Sequence, residues 1–327
     1  MKIAVIHDYA DAMRHTRAYP KLQGHEVKIY NDAYTDPARV VEQAQGCDAL
    51  LLTQQRVVIT PKILDQLPQL KFISQTGRNV SHLDVAACTA RGITVSAGGH
   101  DGKSPYTTTG ELAWALIMAS LRHIPFEVEN FKAGHWHSTV GTRLYGHTFG
   151  MYAFGHIGSG VARVAKAFGM NVICWGREGS LARAKAEGFE AAASREAFFE
   201  QSDVISLHLP SNAATRGIVT AADLARMKPT ALIVNTSRAP IIAEGALVEA
   251  LKKGRPGFAA VDVYEEEPVV GGNHPLLKLK NAICTPHLGY SEKGSYEAIY
   301  EGGVEQLLAY AAGKPINVLN PEAAAKK

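Results

Sequence analysis

The sequence predicts an α/β protein made of two doubly wound parallel-sheet domains. The chain has 327 residues, more than a single hydrophobic core usually accommodates, so two domains are expected. Short runs rich in Val, Ile and Leu recur between amphipathic stretches, as in parallel sheets of βαβ units. Several helical stretches stop at a glycine, the residue that most readily ends a helix: Gly92, Gly169, Gly188 and Gly254.

The apolar runs predict the strands. In chain order these are Ile3–Ile6, Val27–Tyr30, Ala49–Thr53, Phe72–Gln75, Met151–Phe154, Val172–Trp175, Val204–Leu209, Leu232–Asn235, Phe258–Val263 and Ala282–Thr285. The amphipathic stretches predict helices at Asp36–Gln45, Pro61–Leu67, Leu83–Arg91, Ile157–Phe168, Leu181–Glu187, Arg195–Glu200, Ala222–Met227 and Glu244–Lys253. The alternation lapses at Gly98–Ser104 and after Leu288, and long helical patterns follow at Thr109–Leu121 and Ser295–Ala312. Both lapses are therefore candidate hinges.

Composition and charge narrow the class of function. Hydrophobic residues make up 46% of the chain and the net charge is +3 without any basic run, so no nucleic-acid partner is expected. No apolar stretch reaches the ~20 residues of a membrane span, so no membrane association is expected. The cysteines are scattered and no histidine is spaced for zinc, which predicts a reducing cytoplasm and no metal site. They are Cys47, Cys88, Cys174 and Cys284.

The segment Ala153-Phe154-Gly155-His156-Ile157-Gly158 follows a predicted strand and opens a predicted helix, the context of a dinucleotide fingerprint. Gly155 would let the backbone approach a pyrophosphate, and Gly158 would let helix and strand pack closely. Ala153 replaces the first glycine of the fingerprint. The turn must then accept a methyl group or carry ~1–2 kcal/mol of strain if φ is positive there. A turn that binds no nucleotide is the alternative.

The end of the next strand bears on the choice of cofactor. Gly176 and Arg177 follow Trp175, where an NAD site usually offers a carboxylate to the ribose. A guanidinium suits a 2′-phosphate, which it can bind with two parallel hydrogen bonds, whereas Glu178 would have to bend back to reach a 2′-hydroxyl. The sequence therefore favours NADP over NAD. An ordinary solvated role for Arg177 is the alternative.

Three polar segments follow later strands, at Asn235–Arg238, Asp262–Pro268 and Thr285–Gly289. Ligands bind at the carboxyl ends of strands in doubly wound sheets, so these segments are candidate site residues. Each has an ordinary explanation when taken alone: Arg238 as an ion pair at a helix cap, 265–267 as a solvated acidic face, and His287 as one of 13 histidines.

Together with the fingerprint, these segments resemble the D-isomer-specific 2-hydroxyacid dehydrogenase family from Lys2 to about Pro321. Leu207-His208-Leu209-Pro210 and Thr215-Arg216-Gly217 occur in the order of the family as well. The resemblance implies a Rossmann-type cofactor domain, 104–290, inserted into a discontinuous, flavodoxin-like substrate domain, 1–103 and 291–327. It also implies a homodimer through Thr109–Gly146.

The resemblance implies that Arg238, Glu267 and His287 are the catalytic set. Reduction of a 2-oxo acid needs a hydride at C2 and a proton on the new alkoxide, which an imidazolium can supply. A carboxylate on the other ring nitrogen would fix the tautomer and favour the protonated ring. The planar fork of an arginine can hold the substrate carboxylate with a geometric control that lysine lacks.

Further contacts are implied by the same resemblance. The substrate loop contains Gly77, Arg78 and Asn79, and Arg78 is unusual there because it could read an extra anionic group. The implied cofactor contacts are Gly155, His156, Ile157, Gly158, Gly176, Arg177, Pro210, Thr215, Thr236, Asp262 and Gly289. Asp262 is equally open to a role as a buried turn or cap residue.

The predicted function is that of a cytoplasmic NAD(P)-dependent oxidoreductase that transfers a hydride to or from C2 of a small 2-oxo or 2-hydroxy acid. Glyoxylate, hydroxypyruvate and bulkier 2-oxo acids are the expected substrates. A 3-phosphoglycerate dehydrogenase is one alternative, because Arg56 and Arg78 could meet a phosphate. A dinucleotide-sensing regulatory protein of the corepressor type, which shares the architecture, is another.

Overall fold

The computed structural model describes residues 1–34, 36–53, 55, 57–98 and 107–326. Within it the chain forms two compact units, Met1–Ser104 with Glu292–Lys327, and Pro105–Ser291. These boundaries fall one residue beyond the predicted ones at each hinge. The predicted hinge Gly98–Ser104 lies outside the described residues except for Gly98, and so does Arg56.

The strands are β1 (Lys2–Ile6), β2 (Glu26–Ile29), β3 (Ala49–Leu52), β4 (Phe72–Gln75), β5 (Thr94–Ala97), β6 (Thr148–Tyr152), β7 (Asn171–Trp175), β8 (Glu190–Ala191), β9 (Val204–Leu207), β10 (Leu232–Asn235), β11 (Phe258–Val261) and β12 (Ala282–Cys284). The α-helices are α1 (Pro37–Ala44), α2 (Pro61–Leu64), α3 (Val85–Ala90), α4 (Thr107–Leu121), α5 (Ile124–Lys132), α6 (His156–Ala167), α7 (Glu178–Ala186), α8 (Arg195–Gln201), α9 (Ala221–Arg226), α10 (Ala246–Lys252) and α11 (Lys293–Ala311). Short 3₁₀ helices lie at Met13–His15, Tyr19–Leu22, Ala239–Ile241, Pro275–Lys278 and Pro321–Lys326.

The first unit is built on a five-stranded parallel sheet in the order β2-β1-β3-β4-β5, which is the flavodoxin-like order. Successive strand residues point to opposite faces, so the sheet buries two cores. Ile6, Leu50 and Ile73 pack on one face. Val5 and Leu51 pack on the other, which α11 covers with Tyr300, Val304 and Leu307.

The second unit is built on a seven-stranded sheet in the order β12-β11-β10-β9-β6-β7-β8, and its pairings are parallel. Counted from β6, this is the Rossmann order with one strand added, and the order reverses between β6 and β9. In open parallel sheets the crevice at such a reversal is where ligands bind. The fold class predicted from the sequence is confirmed.

The predicted strands and helices are present, with ends that shift by up to a few residues. The sequence pattern missed β5, β8 and α5. No helix in the described part of the chain is long and apolar enough to cross a membrane.

Candidate active site

The turn between β6 and α6 has the shape of a phosphate-binding turn. Gly155 is the N-cap residue of α6, and a Cβ built on it would meet nothing within 4 Å, so the space before the helix is open. A Cβ on Gly158 would lie 2.5 Å from the carbonyl oxygen of Ala153, so the close packing there requires glycine. Because the first amides of a helix lack intrahelical acceptors, the start of α6 at His156 and Ile157 suits an anion.

Ala153 adopts the left-handed conformation, with φ of +73°. Such a conformation costs a residue with a Cβ ~1–2 kcal/mol, so the turn carries the strain considered from the sequence. Its amide donates to the carbonyl oxygen of Trp175 at 2.8 Å, and the amide of Phe154 donates to Oγ of Ser180 at 2.6 Å. These bonds hold the strained turn against β7 and α7.

The residues after β7 bear on the recognition of the adenosine ribose. Gly176 has φ of +156°, and a Cβ on it would lie 3.2 Å from Oγ of Ser180. A carboxylate introduced at position 176 would therefore be strained, whatever cofactor binds. Arg177 is the exposed N-cap residue of α7, and its guanidinium has no hydrogen bond or ion pair with any residue the structure describes. Its guanidinium is available to an external anion.

The loop after β9 is held by the hydroxyl of Thr215. This buried group donates to the carbonyl oxygen of Pro210 at 2.6 Å and accepts the amide of Asn212 at 2.9 Å. Its proton and one of its two acceptor positions are thus used within the loop. Thr215 therefore holds the Pro210 segment in place.

Three neighbouring strands end at the same level in the second unit. Asn235 pairs with Val261, and Val261 with Cys284, so the next residues, Thr236, Asp262 and Thr285, leave the sheet together. Oγ1 of Thr236 is buried without a hydrogen-bond partner in the described structure. A buried hydroxyl in that state leaves a hydrogen bond for a water molecule or a ligand to make.

Asp262 is fully buried and organises the segment that carries His287. Its carboxylate accepts hydrogen bonds from the hydroxyl of Thr285 at 2.6 Å, the amide of Leu288 at 2.7 Å and the amide of Gly289 at 2.8 Å. Burial raises the pKa of Asp262, while these bonds favour the charged form and act against burial. The sequence left open a role for Asp262 as a buried turn residue, and these three hydrogen bonds are contacts of that kind.

Glu267 and His287 form a hydrogen-bonded pair. Oε2 of Glu267 lies 2.5 Å from Nδ1 of His287, and both side chains are more than four-fifths buried. Oε1 of Glu267 accepts the amide of Tyr264 at 3.0 Å, and the Tyr264 hydroxyl donates to the carbonyl oxygen of Thr285 at 2.9 Å. His287 has φ of +55°, a conformation that few residues with a Cβ adopt. The carboxylate of Glu267 therefore fixes the ring of His287 through Nδ1.

Arg238 follows β10 and is exposed. Its Nη1 donates to the carbonyl oxygen of Ser237 at 2.7 Å, and no carboxylate of the described residues pairs with its guanidinium. Asn235 braces the turn, because its amide group donates to the carbonyl oxygen of Arg238 at 3.0 Å and its Oδ1 accepts the amide of Ser237 at 3.1 Å. The Ser237 hydroxyl donates to the carbonyl oxygen of Leu207 at 2.6 Å and ties this turn to β9.

The bracing residues were not singled out from the sequence. They are Asn235, Ser237, Tyr264 and Thr285. Their signal was present, because each adjoins a predicted catalytic residue or lies within one of the polar segments after a strand. Asn and Ser near a strand end commonly bond to nearby backbone, which makes them candidates for positioning roles.

The predicted substrate residues Gly77, Arg78 and Asn79 follow β4 in the first unit. Asn79 is bonded to Gln55 twice: its Nδ2 donates to Oε1 of Gln55 at 3.3 Å, and its main-chain carbonyl oxygen accepts from Nε2 of Gln55 at 3.4 Å. Arg78 is exposed and has no ion-pair partner among the described residues. A second cation is thus presented at the carboxyl edge of a parallel sheet.

The second unit fits a bound nicotinamide dinucleotide. Three features at strand ends suit such a cofactor. The space before α6 is open after β6, the guanidinium of Arg177 is available after β7, and the hydroxyl of Thr236 is buried after β10 without a partner among the described residues. The described residues contain no group of three or more His, Cys, Asp or Glu side chains that could hold a metal ion. The second unit thus offers the open start of α6 to an anion, the imidazole of His287 to a proton and the guanidinium of Arg238 to a carboxylate.

Comparison with known proteins gives consistent matches. The family model described as "D-isomer specific 2-hydroxyacid dehydrogenase, NAD binding domain" matches residues 114–289. A glyoxylate reductase of Aeropyrum pernix is 35% identical over 91% of this chain and 90% of its own length. A D-3-phosphoglycerate dehydrogenase of Synechocystis sp. is 36% identical over 85% of this chain, which spans about half (49%) of that protein. The crystal structure of a phosphoglycerate oxidoreductase from Vibrio cholerae is 43% identical, has a TM-score of 0.89, and covers 96% of this chain and 99% of its own.

Proposed function

Because the chain belongs to the D-isomer-specific 2-hydroxyacid dehydrogenase family, we propose that Arg238, Glu267 and His287 carry its reaction. The protein is an oxidoreductase that acts on CH–OH donors and transfers a hydride between a nicotinamide cofactor and a small 2-oxo or 2-hydroxy acid. The observation that carries the assignment is the Glu267–His287 hydrogen bond of 2.5 Å, formed between the segments that follow β11 and β12.

When bound, the nicotinamide supplies or accepts the hydride. In reduction, His287 gives a proton from Nε2 to the oxygen at C2 of the substrate, and in oxidation it takes that proton back. Glu267 holds the ring by Nδ1, and its carboxylate faces the positive charge that the ring carries as a proton donor. The segment held by Asp262 keeps His287 in its left-handed conformation.

Arg238 binds the substrate carboxylate through the planar face of its guanidinium. Two parallel hydrogen bonds would fix the plane of the carboxylate and so orient C2. Its positive charge also draws electron density from the carbonyl and favours hydride addition. Amides of the loop at Gly77, Arg78 and Asn79 complete the carboxylate site in this proposal.

NADP is the proposed cofactor. The support is that Arg177 is exposed and unpaired among the described residues, and that no carboxylate follows Trp175 directly. His156 and Ile157 would donate amide hydrogens to the pyrophosphate, with Gly155 and Gly158 giving it room. Thr236 and Gly289 would line the nicotinamide, with Pro210 beside the adenosine and Gly176 under the ribose.

We propose glyoxylate or hydroxypyruvate as the substrate, in line with the glyoxylate reductases that the chain resembles. Arg78 favours a second candidate, a 2-oxo acid that carries another anionic group, such as 3-phosphohydroxypyruvate. Arg78 belongs to the loop proposed to bind the carboxylate, and its guanidinium, which has no ion-pair partner among the described residues, would recognise such a group. Relatives described as phosphoglycerate oxidoreductases agree with this candidate.

The protein is further proposed to be a cytoplasmic homodimer. Exposed apolar side chains crowd α5 and the segment after it, with Trp136 at 75% and Val140 at 92% exposure. A patch of this kind on one unit suits burial against a second copy. The cysteines, all unpaired, agree with a reducing compartment.

The test is a steady-state assay of the purified protein with NADPH and NADH against glyoxylate, hydroxypyruvate and 3-phosphohydroxypyruvate. Turnover that is lost in His287→Ala supports the proposal. Binding of both nucleotides without turnover of any of these acids would favour a regulatory protein of the corepressor type. Arg78→Met should lower kcat/KM selectively for the phosphorylated substrate, and an equal effect on all three would contradict the role of Arg78 in reading a second anion.

A further inference from the structure

One glutamine of α11, Gln306, is fully buried. An amide removed from water must find hydrogen-bond partners inside the protein, and Gln306 finds two. Its Oε1 accepts the hydroxyl of Ser74, which belongs to β4, at 2.8 Å. Its Nε2 donates to the carbonyl oxygen of Gly98, the residue after β5. One side chain from the C-terminal helix thus ties β4 to the end of β5.

Gly98 in turn holds the loop after β4. Its amide lies 3.2 Å from the carbonyl oxygens of both Gln75 and Gly77. Gly98 has φ of +83°, and a Cβ there would lie 3.2 Å from Cγ of Arg78, so the stem of that arginine packs directly on the glycine. The amide of Gly98 therefore sets the position of the Gly77 carbonyl. The Cα of Gly98 sets the direction in which the aliphatic part of Arg78 leaves the loop.

We propose that Gln306 is a positioning residue for the substrate loop 77–79, acting through the carbonyl group of Gly98. The proposal rests on the proposed function, which assigns that loop to the substrate. Gly98 is buried, so its carbonyl oxygen has little access to water if Gln306 is lost. The carbonyl of Gly98 belongs to the peptide after its Cα, and the amide that meets Gly77 belongs to the peptide before it. Without Gln306 the φ and ψ of Gly98 would change as its carbonyl turns toward another donor, and its amide would then shift away from the carbonyl of Gly77.

The test compares three variants of the full-length protein. Gln306→Met keeps the length and volume of the side chain but removes both bonds. Ser74→Ala removes the bond to Ser74 and leaves the bond to Gly98. Gln43→Met is the matched control, because Gln43 is also a buried glutamine of the first unit with two partners, accepting from Tyr34 at 2.7 Å and donating to Asp32 at 2.8 Å.

The readouts are kcat and KM for the 2-oxo acid, Kd for NADPH, and the midpoint of urea unfolding, with kcat expressed per titrated NADPH site. Gln306→Met should lower kcat/KM by up to about 10²-fold, mainly through a higher KM, with Kd for NADPH unchanged. Ser74→Ala and Gln43→Met should lose stability and keep the KM of the wild type. Equal KM values in Gln306→Met and the wild type would overturn the proposal, as would a KM in Gln43→Met that rises as much.

A second variant covers the case in which Gln306→Met does not fold. Gln306→Asn is one methylene shorter and cannot reach Ser74 and Gly98 together, so its KM should rise. Its side chain is still an amide, so this buried position of α11 stays polar. A KM like that of the wild type in this variant contradicts the proposal. Absence of turnover in the wild-type protein would instead overturn the proposed function, so the two failures are distinguishable.

Discussion

Glu267 acts only through His287 if the carboxylate serves to hold and charge the imidazole. Removing either side chain should then remove most of the increase in kcat/KM that the pair provides. We expect His287→Ala to lower kcat/KM by at least about 10²-fold and Glu267→Gln to lower it by a smaller factor. The double variant should be no slower than His287→Ala. Steady-state kinetics of the four proteins check this, and multiplicative losses would mean that Glu267 has a separate role.

The strain at Ala153 predicts a gain in stability when glycine replaces it. Relief of a left-handed alanine returns ~1–2 kcal/mol, and the greater freedom of glycine in the unfolded chain costs about 0.5–1 kcal/mol of it. Ala153→Gly should therefore raise the free energy of unfolding by about 0.5–1 kcal/mol. Urea titration measures this. Ala182→Gly, at an exposed position inside α7, is the control and should lose ~1 kcal/mol. Losses in both variants would place the methyl group of Ala153 among the packing contacts of the turn.

Arg177 predicts the cofactor preference. Loss of a charge-assisted hydrogen bond to a 2′-phosphate costs about 1.5–3 kcal/mol, so Arg177→Ser should weaken NADPH by roughly 10-fold or more and leave NADH nearly unchanged. Fluorescence titration of both nucleotides measures the ratio. Arg183→Ser is a useful comparison, since Arg183 donates to the carbonyl oxygen of Phe154 and supports the turn itself. It should weaken both nucleotides alike. A constant ratio in Arg177→Ser would make that residue an ordinary surface arginine.

Among the secondary-structure elements, those that bury an apolar face were the ones predictable from the sequence. The runs at β3 and β10 are buried throughout and β11 is buried after its first residue, which is why all three read as continuous apolar strands. β8 is two exposed residues, and α5 buries none of its side chains, so neither carries a periodic signal. The same limit holds for the site. Polar residues at strand ends were visible, but which oxygen of Asp262 meets which amide depends on the turn that follows β12.

The segment after β12 depends on Asp262. An asparagine has one acceptor oxygen, so Asp262→Asn would leave an amide hydrogen of Leu288 or Gly289 facing an NH₂ group. We expect a loss of about 1–3 kcal/mol in the free energy of unfolding together with a lower kcat, because His287 belongs to the same segment. Asp203→Asn is the matched control at the opposite end of the sheet, where the carboxylate accepts the amide of Thr148 and the ammonium of Lys228. It should lose stability but keep kcat. Unchanged kcat in Asp262→Asn would separate the segment from catalysis.

For the whole molecule, the order of the strands predicts function better than any single residue. The first unit has the flavodoxin-like order and the second the Rossmann order, and in both the polar residues follow the carboxyl ends of the strands. This shared rule explains why the segments 235–238, 262–268 and 285–289 could be proposed from strand ends, whereas the substrate loop 77–79 and most cofactor contacts needed the family resemblance. The strand order does not predict how copies of the chain assemble, because the exposed apolar segment after α5 belongs to no sheet.

We name residues 133–146 the arm, and Glu127 of α5 holds it. The carboxylate accepts the amides of Ser138 at 3.0 Å and Thr139 at 2.6 Å, and the hydroxyl of Thr139 at 2.5 Å. These bonds, led by that from the Thr139 side chain, lower the pKa of Glu127 to about 2. A carboxyl with a lowered pKa stabilises the folded arm fully above its unfolded value of 4.5, and that contribution is lost as the pH falls toward 2.

The proposed dimer should depend on this hold, because the arm presents Trp136 and Val140. We expect the dimer to dissociate more readily between pH 4.5 and 2 than at neutral pH, and Glu127→Gln to weaken it already at pH 7. Sedimentation equilibrium over a concentration series measures both effects. Glu129→Gln is the control, since Glu129 lies on the same helix and pairs only with exposed Lys132. It should dimerise as the wild type does. A Trp136→Ala protein with the wild-type dissociation constant would show that the dimer forms through another surface, and the role of Glu127 in assembly would fall with it.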